Sequence, residues 1–155
     1  MKLIIDKILG IFLVFLMSLM VFAVTWQVFS RYALQSSSSF TEEVARYLLI
    51  WIGLLGAAYI SGQRQHLSID ILGPKLKESN RIKLRSAINV LIIGFSFFVL
   101  IIGGSNLVYV NYLLGQTSAA LNIPLGTIYL ALPISGALVI VYKIIELLNP
   151  KKYLV

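Results

Sequence analysis

Residues 8–29, with the sequence ILGIFLVFLMSLMVFAVTWQVF, decide the fold because they form an apolar run without one charged side chain. A helix rises about 1.5 Å per residue, so a run of this length crosses a hydrocarbon core of about 30 Å. Lys2 and Lys7 precede it as in a signal peptide, but a signal peptide carries an apolar core of only about 7–15 residues. We therefore expect an uncleaved transmembrane helix.

The composition of the 155 residues extends this interpretation to the whole chain. Hydrophobic residues make up 59% and charged residues 12%, and the mean hydropathy is +0.90, far from the values of a soluble domain. Further apolar runs predict helices at about 40–62, 87–110 and 125–148, after the first at 8–29. The sequence thus predicts an all-α integral membrane protein with four transmembrane helices. It forms a single membrane domain over residues 1–155 and leaves no room for a separate soluble domain.

The connections between these runs carry the signals that limit the helices. Residues 30–39 contain four consecutive serines and predict a loop, since hydroxyls compete for backbone hydrogen bonds. Ser39 and Glu42 have the spacing of a capping box, so the second helix should begin near Phe40. Pro124 suits the start of the fourth helix, and Pro133 should kink it, with Ser135 or a neighbouring helix satisfying the freed groups.

The connection at residues 63–86 is strongly charged and cannot lie in hydrocarbon. Gly73-Pro74 interrupts any continuous helix within it. Its first half is amphipathic enough to form a short segment at the membrane interface between helices 2 and 3. This segment is either helical or extended.

The distribution of Lys and Arg predicts the orientation. The amino-terminal segment has two such residues, the connection between helices 2 and 3 has six and the tail has two, whereas the first and third connections offer only Arg31. Basic loops stay in the cytoplasm, so we expect both termini there, in a bacterial inner membrane. The net charge of +7 is therefore a topology signal, and no nucleic-acid partner is expected.

Several classes of chemistry lack the residues they need. No G-x-x-x-x-G-K-[ST] loop is present for ATP, and no nucleophilic serine follows a strand. The chain has no cysteine and His66 as its single histidine, which disfavours a zinc site or a bis-histidine haem. We therefore predict neither an enzyme nor a cofactor.

The most distinctive charged cluster lies at the outer end of the second helix. Glu42 and Arg46 have i,i+4 spacing, Glu43 and Arg46 have i,i+3 spacing, and Arg31 is a candidate third partner. Two explanations of the cluster stay open. The charges either neutralise one another locally, or they order a loop or contact another subunit. No helix carries a carboxylate near its middle, where an ion pathway would need one.

Further candidates lie along the second helix and just after it. Gly53, Ala57 and Ser61 form a small-residue stripe that permits close helix packing. Trp51 lies too deep for an interfacial belt and should pack against protein. His66 and Asp70 are close enough in sequence to hydrogen-bond.

These motifs together resemble the small membrane subunit of tripartite ATP-independent periplasmic (TRAP) transporters. The resemblance rests on residues 28–32 (VFSRY), 41–46 (TEEVAR), 51–58 and the pattern Arg64-x-His66-x-x-x-Asp70. The second half is similar chiefly in its length, its charge-poor connection and its last helix with proline. Phe40 departs from the pattern, because the family often has tryptophan there.

The resemblance implies a supporting role beside a much larger membrane subunit, which binds substrate and sodium and moves them by an elevator motion. A periplasmic substrate-binding protein delivers the substrate, which is an organic acid such as sialic acid or a C4-dicarboxylate. This chain would brace the scaffold, contact membrane lipid and help the binding protein dock, without binding the solute. The candidate structural and interface residues are Arg31, Glu42, Glu43, Arg46, Trp51, Gly53, Gly56, Ala57, Ser61, Arg64, His66 and Asp70.

Two other classes compete with this interpretation. A self-sufficient four-helix exporter or channel would work alone and would line its own pathway with a charged residue. A membrane anchor for a redox enzyme would show a haem spectrum, which the single histidine disfavours.

Overall fold

The computed structural model describes residues 2–35, 38–63 and 78–148. It contains four long apolar helices. All four are long enough and apolar enough to cross a membrane, as the sequence predicts. We number them spans 1 to 4. In the described ranges the only strand-like pairing is an isolated bridge between Thr117 and Pro124.

Span 1 is the helix α1, Lys2–Ala33. It extends beyond the predicted 8–29 at both ends, because a helix continues where its backbone is hydrogen-bonded and does not stop at the edge of the hydrocarbon. The predicted loop at 30–39 is correspondingly shorter. Ser30 is buried within α1, and the Leu34 N–H still donates to the Ser30 carbonyl.

Span 2 is the helix α2, Ser39–Gly62, close to the predicted 40–62. Its N-cap is Ser38 and not Ser39, so the predicted cap was wrong by one residue. The Ser38 hydroxyl accepts the Thr41 N–H at 3.5 Å, and the Thr41 hydroxyl donates to the Ser38 carbonyl at 3.1 Å. Each of the four consecutive serines can cap a helix, and the capping-box spacing to Glu42 favoured Ser39 as the N-cap over Ser38.

Span 3 combines the helix α3, Glu78–Phe95, a π-helix, Ser96–Gly103, and the helix α4, Gly104–Leu113. It begins well before the predicted residue 87, because charged residues form helix freely outside the hydrocarbon. The π-helix was not predicted. Eight residues of π-helix are unusual, since this conformation occurs mostly as single-turn bulges.

Span 4 consists of α5, Leu125–Tyr129, and α6, Ala131–Leu148, which together match the predicted 125–148. The helix is interrupted at Leu130, three residues before Pro133. A proline ring clashes with the carbonyl four residues earlier, which here belongs to Tyr129. The Ser135 hydroxyl donates to the Leu132 carbonyl at 2.9 Å.

The spans pack in the order 1, 2, 4, 3. A core of Leu9, Leu13 and Leu16 from α1 meets Leu55 of α2 and Tyr142 of α6. Span 3 packs against the other side of α6 through the π-helix. A Cβ on Gly136 would lie 2.7 Å from Leu100 Cβ, so the two backbones approach closely there.

Candidate functional site

The two neighbouring acids near the start of α2 have different partners. Arg46 Nη2 lies 3.1 Å from Glu42 Oε1, which confirms the predicted i,i+4 pair. Both side chains are exposed, at 64% and 52%, so the pair itself contributes little to stability. Arg31 is also exposed, and no ion pair between described residues includes it, so its predicted place as third partner was wrong.

Glu43 binds the connection between spans 3 and 4 and not Arg46, so the predicted i,i+3 pair was wrong. Its carboxylate accepts the Ser118 hydroxyl at 2.6 Å. It also accepts three consecutive backbone N–H groups, those of Ala119 at 3.2 Å, Ala120 at 3.1 Å and Leu121 at 3.2 Å. A residue on α2 therefore holds a loop about 75 positions further along the chain, and no local sequence signal identifies such a partner.

A second charged cluster, which the sequence analysis missed, lies at the opposite end of the bundle. Glu146 of α6 accepts Arg85 Nε of α3 at 2.7 Å and Lys143 Nζ at 3.0 Å. Lys143 is fully buried, while Arg85 and Glu146 expose only 14% and 10% of their side chains. Burying charges is costly unless they are paired, so this triad ties α3 to α6. The i,i+3 spacing of Lys143 and Glu146 was the available signal.

A hydrogen bond joins the same end of α6 to α1. The Tyr142 hydroxyl donates to Asp6 Oδ1 at 2.7 Å. The Tyr142 ring lies against Gly62, where a Cβ would come within 2.5 Å of the ring. Close packing therefore requires glycine at position 62. Through this packing α2 also contacts Tyr142, which bonds to α1.

The outward side of α2 is a continuous seam, which we call the α2 seam. Its members share an exposed position and a spacing of three or four residues: Glu42, Arg46, Leu49, Gly53, Ala57 and Ile60. A Cβ on Gly53 would meet no atom within 4 Å. Gly53 and Ala57 of the predicted small-residue stripe thus do not pack inside this chain, whereas Ala58 and Gly62 point inward and are buried.

The remaining predicted candidates on α2 take different positions. Trp51 is partly buried and packs against the core of spans 1, 2 and 4, as predicted. Gly56 is open, since a Cβ there meets nothing within 4 Å. The Ser61 hydroxyl oxygen is buried and has no hydrogen-bond partner among the described residues.

Arg64, His66 and Asp70 lie outside the described residues, as does most of the predicted interfacial segment. Within the described ranges, no group of three His, Cys, Asp or Glu side chains could hold a metal ion.

Comparison with known proteins identifies the family. Residues 20–151 match the DctQ component of tripartite ATP-independent periplasmic transporters. The chain belongs to the DctQ family. The match runs from the middle of α1 past the end of α6, so it includes both charged clusters and the α2 seam.

Two curated relatives of this DctQ-family chain are similar over nearly its whole length. A protein of Haemophilus influenzae, described as a TRAP transporter small permease protein, is 32% identical over 147 residues, which cover 94% of this chain and 88% of the relative. The sialic acid TRAP transporter small permease protein of Vibrio cholerae is 26% identical over 155 residues, which cover 97% and 86%. The resemblance drawn from the sequence motifs is thereby confirmed at the level of the family.

Proposed function

We propose that this DctQ-family chain is the scaffold-forming small subunit of a sodium-coupled TRAP transporter in the bacterial inner membrane. It braces a large multi-span membrane subunit, and the large subunit carries the solute and the sodium ions. In this role the chain neither binds the solute nor catalyses a reaction.

The placement of charge is the observation that carries this proposal. Every ionic contact between described residues lies near an end of the bundle, at Glu42–Arg46 or at the Arg85–Glu146–Lys143 triad. The sequence has no charged residue between Lys7 and Arg31, between Arg46 and Arg64, or between Arg85 and Lys143. Ion and proton pathways place such residues within the membrane. The bundle is therefore built to support a pathway in a partner.

The α2 seam is our candidate for the surface that receives the large subunit. Gly53 and Ala57 leave room for a helix backbone to approach closely, which is how membrane helices associate. An exposed ion pair at the outer end, Glu42–Arg46, offers polar groups to a partner at the edge of the membrane. Arg31, exposed at the same end of the bundle, is a further candidate contact.

A leucine at Gly53 tests this surface. Gly53→Leu should leave the isolated subunit folded, because the position faces open space, and should reduce recovery of the large subunit in a mild-detergent pull-down by about tenfold or more. Gly94→Leu is the matched control, since a Cβ at Gly94 also meets nothing within 4 Å. Equal recovery with both variants would exclude the α2 seam as the contact surface.

The solute class is proposed from the relatives and from the family. The Vibrio cholerae relative is named for sialic acid, and we propose sialic acid or a C4-dicarboxylate as the solute of the complete transporter. Sodium-dependent uptake of labelled solutes by cells that lack this gene, with and without the gene restored, tests this. Arg46→Ala should lower uptake of every solute equally. A variant that keeps full uptake but changes solute preference would contradict the scaffold role.

The outer connection at 114–124 supports a further proposed role, that of docking the periplasmic substrate-binding protein. The connection carries no charge and is fixed to α2 through Glu43. A fixed, uncharged surface adds little ordering cost when a second protein binds. Affinity of the purified transporter for its binding protein, measured with wild-type chain and with Asn122→Arg, tests this role. An unchanged affinity would exclude the connection from the docking surface.

A further inference from the structure

We propose that residues 118–121 form a carboxylate-binding nest and that Glu43 is its tethered ligand, latching the outer connection onto α2. The proposal concerns the folding of this chain alone and does not depend on the transport role. Each group in the nest is a donor directed at one carboxylate.

The donor set is complete for a carboxylate. Three successive backbone N–H groups and one hydroxyl converge on the two oxygens of Glu43 at 2.6–3.2 Å. Successive N–H groups in a turn form concave anion sites, and hydrogen bonds to an ionised acceptor are about twice as strong as neutral ones. Ser118 also accepts the Leu121 N–H at 3.1 Å, which fixes its hydroxyl toward Glu43.

The loop backbone is shaped independently of Glu43. Ser118 N–H donates to the Ile123 carbonyl at 2.9 Å, and Asn122 N–H donates to the Ser118 carbonyl at 3.1 Å. Asn122 adopts a φ of 54°, a left-handed conformation that asparagine tolerates better than most residues. The turn is therefore held by hydrogen bonds of its own as well as by those to the Glu43 carboxylate.

The contact between Glu43 and the loop also positions Leu121, which lines an apolar cleft. Leu121, whose N–H bonds to Glu43, lines a cleft of about 360 Å³ together with Val44, Tyr47 and Trp51 of α2. Release of the carboxylate would free Leu121 to leave this wall. Labelling of a reporter at position 121 therefore measures the state of the latch.

The absence of cysteine from the chain makes a clean reporter available. Leu121→Cys keeps the backbone N–H, and its reaction with a maleimide in nanodiscs reports how often the loop leaves α2. In this background we expect Glu43→Ala to raise the labelling rate, and the hydrogen exchange of the 119–121 amides, by about tenfold. Glu42→Ala is the matched control and should change neither rate, because Glu42 contacts Arg46 and not the loop.

Chemical rescue separates a carboxylate nest from a merely structural side chain. Acetate added to Glu43→Ala should slow both labelling and exchange toward wild-type rates, whereas chloride at equal ionic strength should not. Glu43→Gln keeps the size and one acceptor oxygen but loses the charge, so its rates should lie between those of Glu43→Ala and of wild type. Wild-type rates in Glu43→Gln, or no effect of acetate on a Glu43→Ala chain that melts like wild type, would overturn the proposal.

Discussion

At the scale of single residues, neighbours in sequence have unrelated roles. Glu42 pairs with Arg46 one turn away, while Glu43 accepts hydrogen bonds from the loop that follows span 3. Helix spacing alone predicts the first contact. The second could not be predicted, because it depends on how four helices pack and the loop itself carries no complementary charge. A loop-ordering role for this cluster was one of the predicted alternatives, but the loop itself was not predicted.

The buried triad gives the strongest prediction at this scale. Glu146→Ala removes the carboxylate that Arg85 and Lys143 share. Because Lys143 is fully buried, we expect a loss of about 3 kcal/mol or more in the free energy of unfolding. Denaturation of the detergent-solubilised chain, followed by circular dichroism, measures it.

Glu42→Ala is the control for this measurement, since it breaks an exposed pair and should cost less than about 1 kcal/mol. Equal losses in the two variants would show that burial does not set the importance of the triad.

At the scale of elements, apolar runs predicted all four spans but not their internal irregularities. Span 1 and span 3 are longer than predicted, because hydropathy marks the part of a helix that lies in hydrocarbon and not the part beyond it. The π-helix has no local signature in the sequence, and it lies where span 3 packs on Gly136 of α6. The break at Leu130 was foreseen only as a kink at Pro133.

Gly136 tests whether close packing fixes this irregular pair of spans. Gly136→Ala places a Cβ 2.7 Å from Leu100 Cβ and 3.2 Å from the Ser96 carbonyl oxygen. These neighbours belong to backbone or lie next to it and cannot move away cheaply, so we expect a loss of about 1–3 kcal/mol in unfolding free energy.

Gly94→Ala is the matched control and should be neutral or stabilising by up to about 1 kcal/mol, since alanine favours helix and the site is open. Thermal melting of both variants decides the point. A Gly136→Ala chain as stable as wild type would contradict close packing at the π-helix.

At the scale of the whole molecule, the charge pattern was the most informative feature of the sequence. It indicated membrane spans and disfavoured an ion or solute pathway within this chain. The sequence motifs suggested the family, which the comparison with known proteins then confirmed. The α2 seam was only half foreseen. The stripe of Gly53 and Ala57 is visible in the sequence, but that it points outward depends on which residues α1 and α6 cover.

Orientation in the membrane stays a prediction from the distribution of Lys and Arg. A periplasmic reporter fused after Leu114 should be active, because both termini are expected in the cytoplasm. The same reporter fused after Lys152 should be inactive. Cytoplasmic location of the Leu114 fusion would mean that the two ends of the bundle face the opposite sides of the membrane from those predicted.

Affinity purification of the tagged chain from its native membrane in mild detergent tests whether the chain works as a supporting subunit. We expect one large protein with many apolar spans to co-purify in a fixed ratio. Recovery of the chain alone, in a form that transports solute after reconstitution into liposomes, would contradict a supporting role.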